Sequence, residues 1–196
     1  MEFVHEPVLY QQCIEGLDIK PDGIYVDGTL GGGGHSAGIC ERLEREGTLI
    51  GIDRDSDALE AAEERLKNFK CKKHFIKSNY SDIKSVLSQL GIPGIDGALL
   101  DLGVSSFQLD NPDRGFSYKT EGPLDLRMNP EKGISAAERL KNITQEELQG
   151  MLLENADEPY AGEISREAVS RLKRGKTIDT TGDLRQVIED ALAFLP

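Results

Sequence analysis

The chain has 196 residues, 38% of them hydrophobic and 30% charged, with a formal net charge of −12. That length builds one domain, or one and a small second, with a buried core. The acidic balance excludes a general nucleic-acid binder, which carries a basic footprint, though it leaves room for a local basic patch. The longest apolar runs are strand length, which excludes a membrane-spanning helix, and the first residues lack the basic-then-apolar pattern of a signal peptide. Cys13, Cys40 and Cys71 form no CxxC pair and read as reduced thiols of a cytoplasmic protein. His5, His35 and His74 lie too far apart in sequence to suggest a metal site.

In chain order, the segment PVLYQQCIEGL predicts a helix beside a sheet, and Pro21-Asp22-Gly23 a turn. Ile24–Asp27 reads as a first strand. Gly28 and Gly31 to Gly34 follow, and an apolar face at Ala37, Ile39, Cys40 and Leu43 predicts a helix over 35–45. Thr48–Asp53 is a second strand, 56–69 a helix, 74–77 a short third strand and 80–90 a helix. The most apolar run, 97–102, is a fourth strand. Strands alternating with helices predict a parallel, Rossmann-like α/β sheet of order 3-2-1-4, with a ligand at the switch between strands 1 and 4.

The alternation then stops. Residues 103–133 are rich in Gly, Pro, Asp and Asn, yet Val104, Phe107, Leu109, Phe116, Tyr118, Leu124, Leu126 and Met128 recur through them. So long a segment in a compact protein is functional or disordered, and its apolar content predicts an ordered active-site loop. From Ser135 the pattern is helical. Thr144 with Glu147 forms a capping box, 161–174 carries one apolar face stopped by Gly175, and Thr180 or Thr181 caps a last helix over 182–195. The expected division is 1–104 for the sheet half, 105–133 for the loop and 134–196 for a small all-helical domain. Arg171, Lys173, Arg174 and Lys176 form either a basic patch or a solvated helix end with cations near the C-terminal dipole.

A strand, a Gly-rich turn and a helix build a nucleotide crevice. Glycine lets the backbone approach a ligand, and the helix start offers free N–H groups. Gly32, Gly34 and Ala37 satisfy G-x-G-x-x-A, which keeps a dinucleotide such as NAD open. Two details favour S-adenosylmethionine (SAM). Asp27 precedes the glycines, where a carboxylate meets an ammonium but repels a pyrophosphate. Strand four ends in Asp101 and leads into a polar loop suited to a methyl acceptor. Asp53, ending strand two, suits the two hydroxyls of a ribose. Each residue also has a local reading, Asp27 and Asp53 as caps and His35 as part of a helix start.

Several stretches are also familiar as a set: His5-Glu6-Pro7-Val8-Leu9, DGTLGGGGHS at 27–36, GIDRD at 51–55, DLGVSSFQLDNPDRGFSY at 101–118 and GPLDLRMNP at 122–130. With Thr180, Thr181 and Leu184 in a TT-x-x-L pattern, they cover nearly the whole chain. The chain resembles the bacterial 16S ribosomal RNA cytosine-N4 methyltransferase H family, also called the MraW family. The resemblance implies a SAM-dependent enzyme of the cytoplasm that methylates the exocyclic amine of a cytidine in the ribosomal decoding centre. Its partner would be 16S rRNA or the small ribosomal subunit, with no membrane and no metal. By matching position it implies cofactor contacts at Gly33, Gly34, His35, Asp53, Tyr80, Asp101 and Gln108.

The acceptor for the amine protons would be Asp101 or a backbone carbonyl within Gly103–Ser106. Phe107, Phe116 and Tyr118 are candidates for an aromatic clamp on an unstacked base, or else loop core. Relatives carry further strands, so the resemblance also implies a chain truncated at its C-terminus. Phe107 stands where proline is usual and Asn129 where aspartate is. Pro159, Gly162 and Glu163 replace cations, which would weaken phosphate contacts. Two expectations remain, an active rRNA methyltransferase and a SAM-binding module without catalysis, with an NAD-dependent oxidoreductase as a third.

Overall fold

The computed structural model describes residues 7–195, apart from the side chains of Ser106 and Phe107. His5 and Glu6 of the N-terminal motif, and the Phe107 side chain proposed as a clamp, lie outside the described residues. The chain divides into two compact units, one running to Phe107 and the other starting at Gln108.

The first unit is a four-stranded parallel sheet of order β3-β2-β1-β4, with β1 Ile24–Asp27, β2 Thr48–Asp53, β3 Lys72–Lys77 and β4 Gly97–Leu99. The order is the expected one. Alternate residues explain the layers, because successive strand side chains point to opposite faces. Tyr25 and Leu49 join Ile14, Ile39, Ala62 and Leu66 in one core. That core belongs to α1 Tyr10–Gly16, α2 Gly34–Arg42 and α3 Ser56–Leu66. Val26, Ile50 and Ile52 face the other way and pack with Val86, Ile83 and Leu87 of α4 Ile83–Gln89. Cys13, Cys40 and Cys71 are free thiols.

Three of the differences from the sequence reading have a local physical cause. β3 begins two residues early, because Lys72 and Lys73 pair with Thr48 and Leu49 whatever their side chains prefer. Tyr80–Asp82 is a 3-10 turn that precedes α4, started by Asn79, whose side chain accepts the Ser81 N–H. β4 stops at Leu99 and does not reach 102. Among the described residues its partner strand is β1, which ends at Asp27 opposite Leu99. Beyond that pair the register ends, and Leu100 and Leu102 are exposed despite their apolar character.

The second unit contains α5 Ser106–Asp110 at its junction with the first, then α6 Ala136–Leu140, α7 Gln145–Ala156, α8 Ala161–Lys173 and α9 Thr181–Ala191. Thr144 and Glu147 form the expected capping box of α7, and Thr180 with Asp183 forms another at α9. The segment before α6 is ordered and belongs to this unit. Its Leu124 is buried with Leu140, Ile143, Ala168, Ile178 and Val187. Backbone bonds from Leu124 N–H to the Asp179 carbonyl (2.8 Å) and from Thr181 N–H to the Gly122 carbonyl (2.9 Å) fasten it to the start of α9.

Candidate active site

The glycine turn in the first unit is braced on both sides. Gly28 N–H donates to the Leu99 carbonyl of β4 at 2.9 Å, and Leu30 N–H to the Ile52 carbonyl of β2 at 3.1 Å. Gly31 N–H donates to Asp53 Oδ2 at 2.8 Å. Gly31 and Gly33 take φ of +49° and +74°, conformations that glycine adopts without strain. A Cβ on Gly32 would meet only open space. The turn therefore draws the ends of β1, β2 and β4 together, on the side of an open sheet where ligands bind.

Asp53 is half-buried. Its Oδ1 accepts the Asp55 N–H at 3.0 Å, and a carboxylate has lone pairs beyond the two these bonds use. The cap of α3 is Asp55, whose side chain accepts the Asp57 N–H, so Asp53 is not spent on capping that helix. α2 starts from Gly33 and not from His35. Tyr80 is 41% exposed just after β3, and its Cβ lies near Gly28, as does Leu100 Cδ2. Glycine at 28 thus keeps room between Tyr80 and the exit of β4.

Asp27 departs from expectation. It is only 1% exposed. Its Oδ2 accepts Ser36 Oγ–H at 2.7 Å and its Oδ1 the Thr29 N–H at 3.2 Å. Burial pushes its carboxyl above the usual range, while the hydrogen bonds from Ser36 and Thr29 pull the other way. A carboxylate so enclosed ties the glycine turn to α2 and is not presented to a ligand's ammonium.

Asp101 lies two residues past β4 with its side chain 51% exposed, and its Oδ2 is 3.8 Å from His35 Nδ1. Its backbone N–H donates to Thr29 Oγ1 at 2.7 Å. His35 is buried, its Nε2 is 3.1 Å from the Val8 carbonyl, and its ring stacks on Tyr10 with centroids 6.1 Å apart. Sequence reasoning named His35 and Asp101 but missed Thr29, Val8 and Tyr10. The signals were available: a hydroxyl two residues after the strand-end Asp27, and the N-terminal motif that includes Val8.

The remaining candidates belong to the second unit. Gln108 is buried within α5. Phe116 and Tyr118 line an apolar cavity of about 420 Å³ with Leu124, Leu126, Leu184 and Ile188. Leu126 adopts φ +61°, a strained conformation for a residue with a side chain. In the basic cluster, Arg171 pairs with Asp190 at 2.5 Å and Arg174 with Glu167 at 3.0 Å. Two of its four cations are therefore committed to ion pairs, which favours the helix-end reading.

Known proteins bear on this arrangement. The family described as MraW methylase family matches residues 2–195. "Ribosomal RNA small subunit methyltransferase H 2" of Agathobacter rectalis is 47% identical over 98% of this chain and 61% of its own length. "Ribosomal RNA small subunit methyltransferase H 1" of Lachnoclostridium phytofermentans is 48% identical over 98% of this chain and 53% of its own length. "Ribosomal RNA small subunit methyltransferase H 2" of Alkaliphilus metalliredigens is 47% identical, over 98% and 56%. The chain thus spans between 53% and 61% of the length of these three relatives.

Proposed function

The chain belongs to the MraW methylase family, and we propose that it uses SAM to methylate the exocyclic amine of a cytidine in 16S rRNA, in the cytoplasm. One observation carries this reading beyond the family. The glycine turn at the end of β1 is flanked by two carboxylates, half-buried Asp53 at the end of β2 and half-exposed Asp101 just past β4, the two strands that pair with β1. The dinucleotide reading is dropped. The family is one of methylases.

In this reading Asp53 accepts both ribose hydroxyls, Tyr80 lies along the adenine, and the backbone of Gly33, Gly34 and His35 faces the methionine end. SAM supplies a methyl group made electrophilic by its sulfonium. The cytidine amine is a weak nucleophile, because its lone pair is delocalised into the ring. Asp101 accepts its N–H groups, turns the lone pair toward the methyl carbon and takes the proton released as the C–N bond forms and the C–S bond breaks. Most of the acceleration is positioning.

The test is titration calorimetry with SAM beside Asp53→Ala, then transfer of labelled methyl to small-subunit RNA. Saturable binding that Asp53→Ala weakens roughly tenfold to a hundredfold, with label on the RNA, supports the proposal. Binding without transfer supports a SAM-binding module instead. No binding by the folded chain removes the assignment of the pocket to these residues.

A further inference from the structure

The join between β1 and β4 changes character at Thr29. Bonds along a parallel ladder are evenly spaced, and one residue serves two partners that lie two apart on the next strand. Gly28 N–H donates to the Leu99 carbonyl at 2.9 Å, so one further step of the ladder would put the Asp101 N–H on the Gly28 carbonyl. It lands instead on Thr29 Oγ1, at 2.7 Å. A side chain has replaced the backbone as acceptor, and the strand gives way to loop at that bond. Among the described residues it is the one hydrogen bond made by residues 100–104.

The hydroxyl is itself firmly held. Thr29 is half-buried, and its branched Cβ restricts χ1. Its N–H donates to Asp27 Oδ1 at 3.2 Å, and Asp27 Oδ2 accepts Ser36 Oγ–H from α2 at 2.7 Å. The buried carboxyl of Asp27 thus fixes Thr29, and Thr29 fixes the backbone of Asp101. The Asp101 side chain is 51% exposed, so the place of its carboxylate depends on where that backbone is set.

We propose that Thr29 is a positioning residue for methyl transfer, whose hydroxyl fixes the backbone of Asp101 and so sets where the Asp101 carboxylate meets the amine of the acceptor cytidine. This rests on the methyl-transfer reading above. In the step, the amine lone pair forms the N–C bond, the C–S pair goes to sulfur, and the amine proton passes to Asp101. Thr29 exchanges no proton and acts through Asp101 alone.

Two substitutions separate this role from a structural one. Thr29→Val keeps the branched shape but puts a methyl where the amide needs an acceptor. Thr29→Ser keeps the acceptor. With RNA saturating, kcat should fall about tenfold to a hundredfold in Thr29→Val, the order of loss that a shift of about 1 Å at a reacting group brings. The KM for SAM should stay within about twofold, because Asp53 and Tyr80, proposed to hold the ribose and adenine, follow other strands. Thr29→Ser should recover most of the lost kcat. An unchanged kcat in Thr29→Val, a KM for SAM that rises in step with the loss, or equal losses in both variants overturns the proposal and leaves Thr29 a fastening of the sheet edge.

Amide hydrogen exchange tells failure of this inference from failure of the methyl-transfer reading. The Asp101 amide should exchange about tenfold faster in Thr29→Val than in Thr29→Ser or the unsubstituted chain, with the amides of β2 unchanged. An unsubstituted chain that transfers no methyl yet shows this difference sinks the methyl-transfer reading and leaves the hold on Asp101 standing. An Asp101 amide indifferent to Thr29→Val overturns the hold itself.

Discussion

Asp53 in the first unit and Asp125 in the second each accept the N–H of the residue two further on, Asp55 and Arg127, both at 3.0 Å. They part over what else they meet. Arg127 folds back on Asp125, with Nε on Oδ1 at 2.8 Å and Nη2 on Oδ2 at 2.6 Å, and the Arg127 carbonyl accepts from Arg114 Nη2 at 3.0 Å. Among the described residues Asp53 Oδ2 meets the Gly31 amide, in a turn with open space beside Gly32. A bidentate guanidinium neutralises a carboxylate and takes up its lone pairs. A single amide leaves charge and lone pairs for a ligand. The same local turn therefore serves stability in one unit and, in the proposed function, recognition in the other.

The largest expected effect breaks the structural member of the pair. Asp125→Ala leaves the Arg127 guanidinium without its bidentate partner and should lower stability in urea denaturation more than any other substitution named here. Asp53→Ala should cost less than about 1 kcal/mol of stability by the same measurement, its loss appearing in SAM affinity. Equal destabilisation by the two substitutions would erase the distinction drawn here.

Acid titration sharpens it with two opposite signs. The hydrogen bond from Arg127 holds the Asp125 carboxyl below its ordinary value of 3.8. The unfolded chain is protonated first, so this stabilisation is full above 3.8 and is lost as pH falls through the folded value. Asp125→Asn should flatten that acid limb of the stability curve. Burial raises Asp27 above 3.8. There the unfolded chain ionises first, so stability declines as pH rises from 3.8 through the folded value, and Asp27→Asn should remove that decline. Asp55→Ala should cost about 1 kcal/mol of stability for a lost cap. SAM affinity should be unchanged, since the cap and the proposed ribose ligand are different residues two positions apart.

The sequence was most readable where side-chain pattern and backbone need coincide. β1 and β2 are central strands, and their apolar runs end where their pairing ends. It misled at the sheet's edges. Lys72 and Lys73 give no strand signal but are carried by their partners, while Leu100 and Leu102 give one and lie past the last register pair with β1. Asp27 was seen but misplaced, because a strand-end carboxylate reads the same whether it faces a ligand or, as here, Ser36. The loop before α6 could be called ordered from its apolar content, but nothing local says that Leu124 enters a core with residues as distant as Val187.

β4 meets the sheet through three register pairs, where β2 and β3 share six. In amide hydrogen exchange the sheet should therefore not open as one. The protons of 97–101 should exchange before those of β2, by a local unfastening that leaves β1 to β3 intact. The carboxylate proposed to hold the base rides on that loosely joined end, and the one proposed to hold the ribose rides on the tight one. An acceptor can then come and go through a small fluctuation while the cofactor's half of the crevice stays folded.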